Sequence, residues 1–141
     1  MCVLVDIADA VVAQLNGHTF PLAFTAQRAY APLQTLKDLQ TIHVTVVPKG
    51  ITLENVARDR RQRDYQIDIA VQKKLASVEP AEIDPLVDLA AEIGDLFVGR
   101  LASYPGAIAI KTEHTPIYAL EHLEQLRTFT GVLTVTFRVV A

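Results

Sequence analysis

The 141-residue sequence predicts an α+β domain, a mostly antiparallel sheet with helices packed on one face. Three observations carry that prediction. Gln62–Leu75 alternates, with Tyr65, Ile67, Ile69 and Val71 to one side and Gln66, Asp68, Ala70 and Gln72 to the other. Side chains of a strand point to opposite faces in turn, so this period marks a half-buried strand, and the chain is organised around it. A second alternation closes the chain, with Leu133, Val135, Phe137 and Val139 set against Thr134, Thr136, Arg138 and Val140. Elsewhere the apolar residues recur every three or four positions, the spacing of a helix with one buried face.

In chain order, Val3–Leu15 reads as the first helix, with Leu4, Ile7, Val11 and Leu15 on one face. Asp6 and Asp9 suit the positive end of its dipole, and Asn16-Gly17 tolerates the left-handed backbone of a helix stop. In Phe20–Ala31, Phe24, Ala26, Arg28 and Tyr30 fit one strand face, ended by Pro32. Ile42–Val47 is a short strand with Ile42, Val44 and Val46 inward, and Pro48-Lys49-Gly50 reads as its break. Ile51–Arg61 then reads as a basic loop with a turn of helix. The strand before it and the strand after it are expected to pair antiparallel, as sequential strands usually do.

Val78–Pro85 reads as a linker into a second helix, with Asp84 as N-cap and Pro85 at the first helical position. Leu86, Leu89, Ile93, Leu96, Phe97 and Leu101 form its core stripe, and Val87, Ala91, Gly94 and Val98 form a second, small-residue stripe open to close approach. Tyr104-Pro105-Gly106 reads as a turn, Ala107–Thr112 as a strand, and Tyr118–Leu126 as a short helical or irregular excursion. The face opposite the helices carries Thr45, Gln66, Asp68, Thr134, Thr136 and Arg138, so it is expected to be wet or to meet a polar partner. One domain, 1–141, accommodates all of it.

Composition narrows the function. Half the residues are apolar, and the formal net charge is -3, opposite in sign to the usual nucleic-acid grip. No apolar run approaches the roughly 20 residues of a membrane span, and Met1–Asp6 lacks the basic start of a secretory signal. The single cysteine, Cys2, can form neither an internal disulfide nor a thiolate metal site. No Gly-rich phosphate loop, glycine-flanked serine or His-Glu-x-x-His is present, and no lysine has a carboxylate two residues before it. His114 and His122, with Glu113, Glu121 and Glu124, could in principle form a carboxylate–imidazole metal set, but such a cluster on a polar connecting segment is more often a solvated surface. No catalysis and no cofactor are expected.

The most informative feature is a separation of charge. Arg58, Arg60, Arg61 and Arg63 cluster before the central strand, while no Lys or Arg occurs between Leu75 and Gly99, where Asp84, Asp88, Glu92 and Asp95 lie on the helix. The arginines can be a solvated loop, a phosphate contact or a subunit contact. A basic patch and a separate acidic patch suit head-to-tail assembly, in which two different surfaces meet. The small stripe of Val87, Ala91 and Val98 is the other candidate for such a contact.

Four segments also resemble the tail terminator, or tail-completion, family of tailed bacteriophages, the minor tail protein U-like kind. They are Arg63-Asp64-Tyr65-Gln66-Ile67-Asp68-Ile69-Ala70-Val71, Leu86-Val87-Asp88-Leu89, Tyr104-Pro105-Gly106, and Phe129-Thr130-Gly131-Val132-Leu133-Thr134-Val135-Thr136-Phe137. The resemblance implies a virion structural protein that forms a homohexameric ring at the head-proximal end of the tail. Such a ring stops tail-tube polymerisation and meets the tail tube protein below and a head-completion protein above. DNA would pass through its lumen without sequence-specific binding, and the protein would be found in the virion tail after assembly in the host cytoplasm. Another head–tail connector or minor tail protein is the near alternative. A small cytoplasmic metal- or ligand-binding domain using His114 and His122 is the distant one.

Overall fold

In the computed structural model the central alternating stretch is the third of the six strands among the described residues and is hydrogen-bonded along both edges. The structure describes residues 3–22, 24–30, 41–58, 60–76, 79–114 and 128–140. The elements run α1 (Val3–Gly17), β1 (Thr25–Arg28), β2 (His43–Ala57), β3 (Arg60–Lys74), α2 (Pro80–Leu96), β4 (Gly99–Leu101), β5 (Tyr104–Glu113) and β6 (Thr128–Val140). They form one sheet in the order β1-β2-β3-β6-β5-β4, antiparallel except for the β1–β2 pair. The α+β architecture with a largely antiparallel sheet is the one the sequence predicts.

The register explains the core. On one face Val46, Ile69 and Leu133 stand in one row, and Ile67 opposite Val135 and Tyr65 opposite Phe137 make the next rows. All are buried, and Ile7, Val11 and Leu15 of α1 pack with them, as do Leu86, Leu89 and Ile93 of α2. Each such side chain contributes about 1.5–3 kcal/mol by leaving water. Gln14 ties the two helices together at one end, since its Nε2 donates to Leu96 O and its Oε1 accepts from Ala102 N.

The opposite face is polar but less wet than expected. Arg138 donates from Nε and Nη2 to the two Asp64 oxygens at 2.9 and 3.1 Å, and Thr134 Oγ1 donates to Asp68 Oδ1 at 2.7 Å. The Asp64 hydrogen bond holds the Arg138 guanidinium above the ordinary arginine range. Those partners lie within the sheet itself. Thr45 and Thr136 are buried at 4 % and 9 % exposure, which corrects their reading as solvated positions. Alternation assigns a side chain to a face, but it does not say how much of that face is covered.

Several boundaries also differ from the sequence reading. The first helix does stop at Gly17 as read, but without the left-handed backbone, and Asn16 clamps β1, accepting from Ala26 N at 2.8 Å and donating to Ala26 O at 3.1 Å. The strand at β1 is four residues long, with Ala26 buried and Tyr30 outside it and exposed. Pro80, not Pro85, holds the first helical position of α2, and Glu79 rather than Asp84 is the N-cap. Pro85 sits inside the helix, within its first turns. The helix ends at Leu96, so Leu101 enters the core from β4. Gly99, with φ +74°, turns the chain between them in a conformation that side-chain-bearing residues avoid. Tyr104-Pro105-Gly106 opens β5 rather than forming the turn, which Ala102 and Ser103 make.

The largest difference is at β2. Pro48-Lys49-Gly50 does not end the strand: Pro48 pairs with Ile67 and Gly50 with Gln66, leaving Lys49 as the extra residue of a bulge. The hairpin then continues to Ala57, so the stretch expected to be a loop is strand. Tyr118–Leu126 lies outside the described residues.

Candidate subunit interface

The bulge inverts the side-chain phase of β2. Before it the even-numbered Val44, Val46 and Pro48 share the helix face; after it Ile51, Leu53 and Asn55 do. These face-mates stand opposite Tyr65, Arg63 and Arg61 on β3. Tyr65 is buried, but Ile51 and Leu53 are 49 % and 55 % exposed. The hydrophobic face of the hairpin therefore extends past the covered core.

The arginines are no longer a loop cluster but belong to the end of that hairpin and its turn. Arg58 lies in the turn and is exposed, and Arg61 is exposed on β3. Arg63 is half-buried, beside Leu53 and Val139, and its Nε is buried with no hydrogen-bond partner among the described residues. Arg60 pairs with Ala57 at the end of the ladder. The helix-side face of the tip thus carries Arg61 and Arg63 on the strand paired with Ile51 and Leu53, with Arg58 exposed in the turn beyond them.

The acidic set occupies α2. Asp84, Asp88, Glu92 and Asp95 are all exposed, as a helix with its core stripe on the opposite side requires. No ion pair among the described residues joins Arg58 or Arg61 to any of them. Pro85, Asp88, Leu89 and Glu92 recur at helical spacing and face Pro21 and Leu22, enclosing a groove of ≈ 210 Å³. Its floor is aliphatic and its edge on the helix is acidic. A cavity of about 150 Å³ can hold a benzene, so this one has room for a branched aliphatic side chain.

The second stripe of α2 does not survive as one surface. Gly94 faces the sheet: a Cβ there would stand 3.1 Å from Leu133 Cδ2 and 3.5 Å from Thr112 Cγ2. Val87 is half-buried against the core, Ala91 is exposed, and Val98 lies beyond the helix end at 80 % exposure. Small size at Gly94 permits this close approach of α2 to the sheet.

His114 follows β5 and is half-buried, while His122, Glu121 and Glu124 lie outside the described residues, as does Cys2. Glu113 is engaged by Lys111 at 2.6 Å, whose ammonium lowers its carboxyl below the usual range. Sequence reasoning missed Ile51 and Leu53, because Pro48 hid the strand that displays them, and missed Pro21, Leu22 and Pro85 as groove walls. The phase change from Val46 to Ile51 was the available signal.

Comparison with known proteins adds little. No protein-family model matches the chain, and no curated protein does. Among solved structures the chain is similar to the sheath/tube terminator of an extracellular contractile injection system, the PVC, in its extended state, at 16 % identity and a TM-score of 0.47. The match takes in 97 % of this chain but 56 % of the other, so the chain spans little more than half that protein's length. No described helix is long and apolar enough to cross a membrane.

Proposed function

We propose that this protein is a non-catalytic subunit of a tail terminator, assembling head to tail into a hexameric ring at the head-proximal end of a phage-type tail. There it would stop growth of the tail tube and present a surface to a head-completion protein, with DNA passing through the lumen unread. One observation carries the reading: a basic, aliphatic hairpin tip and an acidic helix face are separate, exposed surfaces of one chain. Two unlike surfaces that complement each other generate rings when the rotation between neighbours closes. The sequence segments that resemble the family supply the choice of ring. The slight backbone likeness to the injection-system terminator carries none of the weight.

Two experiments test it. Sedimentation of the purified protein at low salt is expected to give a ring-sized species, and a monomer at every salt and concentration would remove the reading. Particles made without the protein are expected to show filled heads separate from tails, with those tails overlong or irregular at the head-proximal end. Normal, joined particles would defeat the terminator role even if a ring forms in solution.

A further inference from the structure

Resting on that reading, we infer that the contact between neighbouring copies is made by the β2–β3 tip of one copy entering the α2 groove of the next. Leu53 is the inserted side chain. It stands in the middle of the tip's helix-side face, with Ile51 before it on the same strand and Arg61 and Arg63 on the paired strand. The groove between Pro21-Leu22 and α2 offers an aliphatic floor from Leu22, Leu89 and Pro85, and the carboxylates of Asp88 and Glu92 along its edge.

The occupant is identified by complementarity. A purely apolar groove would take any apolar segment, but this one is edged, among the described residues, by two carboxylates and no cation. The only exposed aliphatic pair among the described residues that carries arginines at its sides is Ile51 and Leu53. Among the described residues of one chain neither surface meets the other: Leu53 is more than half exposed, and the groove is lined by Pro21, Leu22 and α2 alone. A second copy resolves both at once. Its tip removes two aliphatic side chains from water and brings Arg58 and Arg61 against acids that, among the described residues, have no ion-pair partner in their own chain. Because tip and groove are different surfaces, each copy keeps one of each free for the next neighbour, which is the arrangement a ring needs. Exposed charge pairs add little affinity, so Leu53 provides the anchor and the charges fix its direction.

The test uses the full chain with Cys2→Ser. Leu53→Cys combined with Glu92→Cys is expected to give a ladder of covalently linked copies, both on oxidation and with a short bis-maleimide. Either cysteine alone should stop at a linked pair or give none. Independently, Leu53→Asp should keep the circular dichroism and melting temperature of the parent, since the side chain is exposed. It should weaken association by roughly tenfold or more, because an apolar anchor is replaced by an acid facing acids. A ring-sized species that yields no ladder and tolerates Leu53→Asp would overturn the tip-in-groove contact while leaving the ring intact. A protein monomeric throughout would overturn both.

Discussion

Ile69→Ala tests the register on which the fold stands. Ile69 is fully buried at the centre of β3, between Val46 of β2 and Leu133 of β6, and packs into the single core. Removing its outer carbons forfeits their transfer free energy and leaves a cavity that three hydrogen-bonded strands cannot easily collapse, about 2–5 kcal/mol in all. Unfolding entropy near 2.1 cal/mol/K per residue gives about 0.3 kcal/mol/K for a chain this long, so a loss of about 3 kcal/mol lowers the melting temperature by roughly 10 °C. Gln66→Lys, three residues earlier on the other face, should shift it by no more than about 2 °C, the scale of an ordinary surface change. Thermal and urea unfolding of the two variants, with equal m-values to show that the unfolded state is unchanged, is the assay. Equal sensitivity at the two sites would refute the register, because a slip of one residue exchanges the faces of the whole strand.

Other outcomes follow from particular contacts. Pro85→Ala should stabilise the protein by about 1 kcal/mol or more, since it restores a donor inside α2; destabilisation in a melting experiment would mean that the helix begins at Pro85. Gly94→Leu should cost about 1–3 kcal/mol by forcing α2 away from Leu133, and tolerance of that change in urea unfolding would place Gly94 on the outer surface. Asp64→Asn should produce a small loss that shrinks in high salt, because it removes the charge opposing Arg138, and a salt-independent loss would show that packing is involved instead. Lys111 lowers the Glu113 carboxyl, so its contribution is present above the ordinary carboxylate pKa and disappears as pH falls through the lowered value. The stability gap between the parent and Glu113→Gln should therefore close on acidification, and a gap that widens would reverse the assignment.

The parts legible in the sequence were those governed by an unbroken period. Tyr65 to Val71 and Leu133 to Phe137 declare their buried face directly, and Ile7, Val11 and Leu15 do so for α1. What failed was whatever depended on a single residue with two physical meanings. Pro48 ends a strand or sits in a bulge, and only the partner strand decides which. Pro80 and Pro85 both suit a helix start, and Gly94 suits either an exposed helix crossing or a close approach to a sheet. The charge separation that marks the candidate interface was visible at once, but its aliphatic half was not. Ile51 and Leu53 look like loop residues until the bulge is known, and the groove is assembled from Pro21-Leu22 and the part of α2 from Pro85 on, segments far apart in the chain.

Lys49 also acts at a distance. As the extra residue of the first of two register shifts between β2 and β3 it bends the hairpin ahead of Ile51 and Leu53 and so bears on the direction in which they point. Where neighbours join tip to groove, that bend is repeated at every contact, and a small angular error compounds around the circuit. The bend then acts as a gauge of circumference. Deleting Lys49 would keep Ile51 opposite Tyr65, leaving the contact chemistry in place while straightening the hairpin. Electron micrographs of such a variant should show open helical strings or rings with a different number of subunits, since a rotation that no longer closes propagates as a filament.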